Sequence, residues 1–238
     1  MSGRHLRLSY NNAYFDSLDQ QDESSIHTKV LHYFRVMKQA LPSGSVLDAG
    51  CGAGHSLTLF EKTARRVVGL DSSVEAACMA GRRTRRAVVC VGNLDTKLPF
   101  GDNSFDFVLS HEVIEHLSKP EVFLAEAFRV LRAGGGLLLK TPNAWDLWRL
   151  ICYITSKTWY ADVDRTHVRY YTLRSLKRLL KEAGFVRIKV IAGTKSFYRG
   201  QLGRLVPVRI GRLPVIGNGL LALGVKANNT LNQLQLVE

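Results

Sequence analysis

The stretch Val46-Leu47-Asp48-Ala49-Gly50-Cys51-Gly52-Ala53-Gly54 decides how this chain is read. Two apolar residues and a carboxylate end a short apolar run, and three glycines then alternate through a turn. A periodic segment, Ser56 to Ala64, follows at once. A strand, a glycine-rich turn and a helix start, in that order, bring a nucleotide-like ligand against bare backbone N–H groups. Glycine suits the turn because positive φ and close ligand approach both exclude a Cβ.

Further along, the apolar run Arg66-Val67-Val68-Gly69-Leu70 ends in Asp71, 17 residues past Gly54. An acid at the end of a second strand is placed to take two ribose hydroxyls. Leu98-Pro99-Phe100 and Asp102-Asn103-Ser104-Phe105-Asp106 follow. This ordered set resembles the class I S-adenosylmethionine-dependent methyltransferases. In motif it is most similar to the type 11/type 23 and ubiquinone-biosynthesis O-methyltransferase-like group.

The resemblance implies an α/β, Rossmann-like fold: a seven-stranded, mostly parallel sheet with helices on both faces and an antiparallel last hairpin. It implies S-adenosyl-L-methionine as cofactor, with Gly50, Gly52 and Gly54 passing against it and Asp71 holding its ribose. His111, just after the fourth strand, would lie near the methionine end. Asp48 would favour the cationic cofactor, orient the turn by hydrogen bonds, or do both. Where the family usually has an acid facing the adenine amino group, this chain has Asn93, whose side-chain carbonyl could accept the same bond. The backbone around Leu94 is the other candidate.

Residues 1–44 read as an N-terminal helical cap segment and residues 45–238 as the cofactor-binding domain. Ile26, Val30, Phe34 and Met37 recur at helical spacing, which predicts a helix over Ser25–Leu41, ended by Pro42 and Gly44. A helix over Glu121–Arg132 closes at Gly134-Gly135-Gly136, before a fifth strand at Leu137–Lys140. Residues 144–171 then interrupt the alternation and carry all three tryptophans. Such an insertion predicts a lid over the substrate or a helix completing the core. Thr172 caps a basic amphipathic helix, Leu173–Ala183, and Phe185–Ala192 and Leu220–Lys226 read as the last two strands. Residues 200–219 form a basic, apolar insertion.

At 238 residues, 46% hydrophobic and with mean hydropathy −0.03, the chain suits one globular α/β domain. No apolar run approaches the ~20 residues of a membrane span. Met1 to Tyr10 lack the apolar core of a signal peptide. Four cysteines without Cys-x-x-Cys spacing suggest neither a zinc cage nor a disulfide framework, so a cytoplasmic protein is expected. The net charge of +13 is uneven: residues 1–132 carry 16 Lys/Arg and 15 Asp/Glu, residues 133–238 carry 17 and 5. A basic second half suits an anionic acceptor, nucleic acid, peripheral contact with an acidic membrane, or simply a solvated face.

The chemistry is expected from Glu112-Val113-Ile114-Glu115-His116. Spacings of three and four predict Glu112, Glu115 and His116 on one side of a helical turn. With His167 as a further ligand, the set would suit a divalent ion such as Mg²⁺ or Zn²⁺. The pattern is similar to that of ubiquinone-biosynthesis O-methyltransferases and small-RNA 2′-O-methyltransferases, where a divalent ion activates a hydroxyl. Without metal, His116 or His167 would be the general base, with Glu115 beside them, since an imidazole titrates near neutrality. The expected function is O-methylation of a small-molecule hydroxyl on a quinone, lipid or secondary-metabolite scaffold, of anionic or hydrophobic character. An RNA methyltransferase and a non-catalytic binding protein on the same fold are the alternatives.

Overall fold

A computed structural model describes residues 22–155, 158, 164, 166–193 and 219–228. In chain order its elements are α1 (Glu23–Met37), β1 (Ser45–Ala49), α2 (His55–Phe60), β2 (Arg66–Asp71), α3 (Val74–Arg83), β3 (Val88–Val91) and β4 (Phe105–His111). A 3₁₀ turn (Ile114–His116) leads to α4 (Pro120–Val130) and β5 (Leu131–Pro142). Then come α5 (Leu147–Ile154), α6 (Leu173–Glu182), β6 (Val186–Gly193) and β7 (Gly219–Val225).

The strands form one seven-stranded sheet in the order β3-β2-β1-β4-β5-β7-β6, with β7 antiparallel to both neighbours and the other pairings parallel. This is the expected architecture. The order reverses between β1 and β4, and the crevice beyond their carboxyl ends is where such sheets hold ligands. Every residue of β1 is buried, as a parallel strand covered on both faces requires. One core cluster joins Leu47, Leu70, Val108 and Leu137 to Phe123 of α4 and Leu176 and Leu180 of α6. The other joins Val46, Leu109 and Leu138 to Val30 and Phe34 of α1 and Leu57 and Phe60 of α2.

Several boundaries differ from expectation for local reasons. Asp22 caps α1 by accepting from the Ser24 and Ser25 N–H groups, and Lys38 turns left-handed at φ +58°, ending the helix before Leu41. The glycine triplet does not close a helix: α4 stops at Val130, and Gly134 to Gly136 lie within β5. There the register against β4 slips between Phe105, opposite Leu131, and Phe107, opposite Gly136, and Gly134 takes φ +79°, so the glycines carry an irregularity inside the strand. Thr172 does cap α6, in a reciprocal box with Ser175. Glu112 is a correction: its φ of +56° takes it out of any helical turn, and the turn itself is Ile114–His116. Trp159, Tyr160 and nearly all of the 200–219 insertion lie outside the described residues.

Candidate functional site

The glycine turn is tied down by its neighbours. Gly50 and Cys51 N–H both donate to Leu70 O, at 2.7 and 3.1 Å. Gly52 N–H donates to Asp71 Oδ2 at 2.8 Å, while Asp71 Oδ1 accepts from Ser73 N–H at 2.9 Å. The end of β2 therefore braces the turn that follows β1. All three turn glycines have positive φ, +86°, +51° and +83°, but their surroundings differ. A Cβ on Gly50 would lie 2.3 Å from Val113 Cγ2, and one on Gly54 would lie 2.8 Å from Ala80. A Cβ on Gly52 would meet nothing within 4 Å among the described residues. Packing against the chain itself thus requires glycine at two positions, and open space lies over the middle one.

Asp48 lies beneath the turn, 1% exposed, and accepts a hydrogen bond from Ser56 Oγ. Burial pushes its carboxyl up to about 7, against the Ser56 bond and with help from the Asp71 charge. Asn93 Oδ1 accepts from Asp95 N–H at 2.8 Å, an Asx turn that already uses its side-chain carbonyl. The Leu94 side chain is in the core, which leaves only its backbone to face a ligand. His111 ends β4 with Nε2 3.2 Å from Tyr33 Oη of α1. Tyr33 was not singled out in the sequence; burial pushes its phenol up to about 12.

The segment after β4 stands over the turn, because Val113 fills the space beside Gly50. Glu112 pairs with Lys140 of β5. Burial opposes its charge, but the Lys140 ammonium outweighs it and holds the carboxylate well below its usual range. Glu115 is fully buried; Oε2 accepts from Thr141 Oγ1 at 3.0 Å, and Oε1 meets no hydrogen-bond partner among the described residues. Burial, then the Glu112 charge, drives its carboxyl well above the ordinary range. The two glutamates are thus driven apart: the Lys140 ion pair favours the carboxylate at Glu112, and burial beside that charge disfavours it at Glu115.

His167 reaches this place because Val168 and Arg169 N–H both donate to Glu115 O, at 3.0 and 3.2 Å. The His116 and His167 rings lie 4.7 Å apart. Ligand-capable atoms of Glu115, His116 and His167 all fall within 4.8 Å of one another. Glu112 is not part of this group and is withdrawn from the expected ligand set, because Lys140 already holds it. Two residues unnoticed in the sequence orient the cluster. Thr166 Oγ1 lies 2.5 Å from Asp164 Oδ1 and 2.7 Å from His116 Nδ1. The carboxylate can only accept, so the Thr166 hydroxyl donates to it and receives the Nδ1–H of His116. The lone pair of His116 is then on Nε2. Burial, then the neighbouring His167, lowers the His116 pKa and keeps that ring neutral.

The profile of a family described as a methyltransferase domain matches residues 23–190. This chain belongs to the class I S-adenosylmethionine-dependent methyltransferases. It is 38% identical over 140 residues to a probable S-adenosylmethionine-dependent methyltransferase of Mycolicibacterium smegmatis, covering 59% of this chain and 51% of that one. It is 31% identical over 114 residues to a malonyl-[acyl-carrier protein] O-methyltransferase of Serratia marcescens, covering 48% and 44%. Among solved structures it is similar to a SAM-dependent methyltransferase of Thermotoga maritima described as a possible histamine N-methyltransferase. That match has a TM-score of 0.64 and 25% identity and covers 85% of this chain and 91% of the other. The chain spans about half the length of the curated relatives it matches. For a methyltransferase the turn fits its cofactor: a bare backbone at Gly52 faces open space, beside an acid at each adjoining strand end.

Proposed function

We propose that the chain transfers the methyl group of S-adenosylmethionine to a hydroxyl or carboxyl oxygen of a small molecule. The observation that carries this reading is the Glu115–His116–His167 cluster, standing over the glycine turn through Val113. The cofactor's adenosine end is assigned to Asp71, Asn93 and the Leu94 backbone, its methionine end to the turn and His111. Methyl transfer from a sulfonium is an in-line displacement, so the protein's share is positioning and removal of the acceptor's proton. The neutral His116, with its lone pair fixed on Nε2 by Thr166 and Asp164, is suited to take that proton. His167, on the segment before α6, is the second candidate base.

The same three side chains fit a divalent ion: two imidazoles and one carboxyl oxygen without a partner are a borderline donor set. A bound ion would supply Lewis acidity, lowering the pKa of the acceptor hydroxyl. Glu115, His116 and His167 would hold it, with Glu115 as the carboxylate.

The test begins with calorimetric titration of S-adenosylhomocysteine into chelator-treated protein, with and without Mn²⁺ or Zn²⁺. Labelled methyl transfer to phenols, carboxylic acids and amines follows, with alkali separating esters from ethers and N-methyl products. Cofactor binding and label on oxygen support the reading. No binding in any condition would leave a non-catalytic protein on this fold, label entering only amines would overturn the oxygen acceptor, and label entering only added RNA would overturn the small-molecule acceptor.

A further inference from the structure

The α5 helix carries an apolar surface that the described residues leave exposed. Tyr153 is 84% exposed, Ile154 71% and Ile151 37%, and Trp145, in the turn before the helix, is 63%. The opposite side is anchored: Cys152 is buried against Tyr170, and the Arg149 guanidinium stacks over the Tyr170 ring at 4.8 Å. Tyr170 in turn meets the His167 ring edge-on at 5.8 Å. Asn143, just before the helix, bridges to Tyr171, and Ala144 N–H donates to Tyr171 O at 2.8 Å. One side of α5 therefore packs on the segment that carries His167 and Tyr170, and the other presents Trp, Tyr and Ile to the outside.

We propose that this surface seats on an anionic lipid bilayer and that the methyl acceptor is a molecule held in that bilayer. The second clause rests on the oxygen-methyltransferase reading; the first does not. Three observations select lipid as the occupant. Exposed Trp and Tyr beside aliphatic residues on a short helix are the composition of the membrane–water interface. No described helix is long and apolar enough to cross a membrane, so α5, at eight residues, would lie in that interface.

The charge around it is the third. Arg169 and Arg174 are exposed on either side of the Tyr170–Tyr171 anchor, at the sheet end where α5 is rooted. Exposed guanidinium groups beside an apolar surface complement an acidic headgroup layer.

The experiment is co-sedimentation with vesicles of phosphatidylcholine alone and of phosphatidylcholine mixed with phosphatidylglycerol. Tryptophan emission is followed in the same samples. The full chain should bind the anionic vesicles, more weakly as salt is raised, with emission moving to shorter wavelength. Replacing Tyr153→Ser and Ile154→Ser together should weaken binding by about tenfold or more. Both positions are exposed, and unchanged S-adenosylhomocysteine binding would verify the fold. Trp145→Ala alone should weaken binding in the same direction. Absent vesicle binding, equal binding of the double variant, or α5-dependent binding of homopolymer RNA instead of vesicles would overturn the proposal. Because vesicle binding is read without cofactor, its failure is distinct from failure of the methyl-transfer reading.

Discussion

The rings of His116 and His167 lie 4.7 Å apart across a stretch of chain that includes most of the aromatic insertion. Backbone bonds from Val168 and Arg169 to Glu115 O hold them there, so the pairing does not depend on either side chain. Replacing His116 or His167 by Ala should therefore leave the fold and S-adenosylhomocysteine affinity intact. Labelled methyl transfer should fall by about 10²–10⁴-fold, the usual share of a general base. Equal loss of cofactor binding would assign these residues to the cofactor instead.

Thr166 has a narrower task, to pass the orientation of Asp164 to His116. Thr166→Val keeps the shape and removes the hydroxyl, and turnover should drop by roughly 10–100-fold, as for other orienting partners of imidazoles. Thr166→Ser should restore most of it. A loss that Ser does not rescue would indicate a packing role.

The three turn glycines should respond differently to alanine. Gly54→Ala combines φ +83° with a Cβ 2.8 Å from Ala80, and should cost about 3 kcal/mol of stability in a denaturant titration. Gly52→Ala has φ +51° and open space, so it should cost about 1–2 kcal/mol. Its loss of S-adenosylhomocysteine affinity should exceed its loss of stability, because the new methyl enters the cofactor's path.

Asp48 predicts a pH dependence. Burial holds its folded-state pKa near 7, above the ordinary 3.8, so between those values the folded chain keeps a proton that the unfolded chain loses. Its contribution to stability then falls as pH rises through that window, with a limiting slope of about 1.4 kcal/mol per pH unit. Asp48→Asn should gain stability relative to the parent on going from pH 5 to pH 8. If the carboxylate favours the cationic cofactor, affinity for S-adenosylmethionine should rise with pH up to about 7 and then level, and the Asn variant should lose that rise. Denaturant midpoints and calorimetry at several pH values check both.

Arg129 should be the most sensitive cation away from the site. It donates to Glu126 and Asp102 carboxylates and to the Leu98 and Phe100 carbonyls, fixing the turn into β4. Arg129→Ala should destabilise by about 2–3 kcal/mol. Lys should not rescue it, because an ammonium cannot span the fork. The denaturant midpoint is the readout.

The fold was legible because its signals are local and repeated: apolar runs ending in Asp48 and Asp71, glycines in the turn, a cap at Thr172. Boundaries failed where a conformation depends on a partner strand. Gly134 to Gly136 read as a helix stop, yet they lie inside β5, where its register slips against β4. At the site, residue types were legible but not their division of labour. Glu112 and Glu115 look equivalent at helical spacing, and only the left-handed φ at Glu112 and the approach of Lys140 separate them. Thr166 and Asp164 carry a weak signal, an Asx-type spacing ahead of His167, which gains meaning only beside His116. Lys140 and Tyr33 carry none, since each looks like part of an ordinary strand or helix.

Gly193 and Gly219 pair where β6 ends and β7 begins, so the sheet itself holds together the two chain ends that residues 194–218 must join. A closure entropy that grows only with the logarithm of length makes a change in the number of residues between two such ends thermodynamically forgiving, at about 0.6 kcal/mol per doubling. A lineage carrying this scaffold could therefore vary the length between those glycines while β6, β7 and the glycine turn keep their registers, and an engineer could graft a recognition segment there.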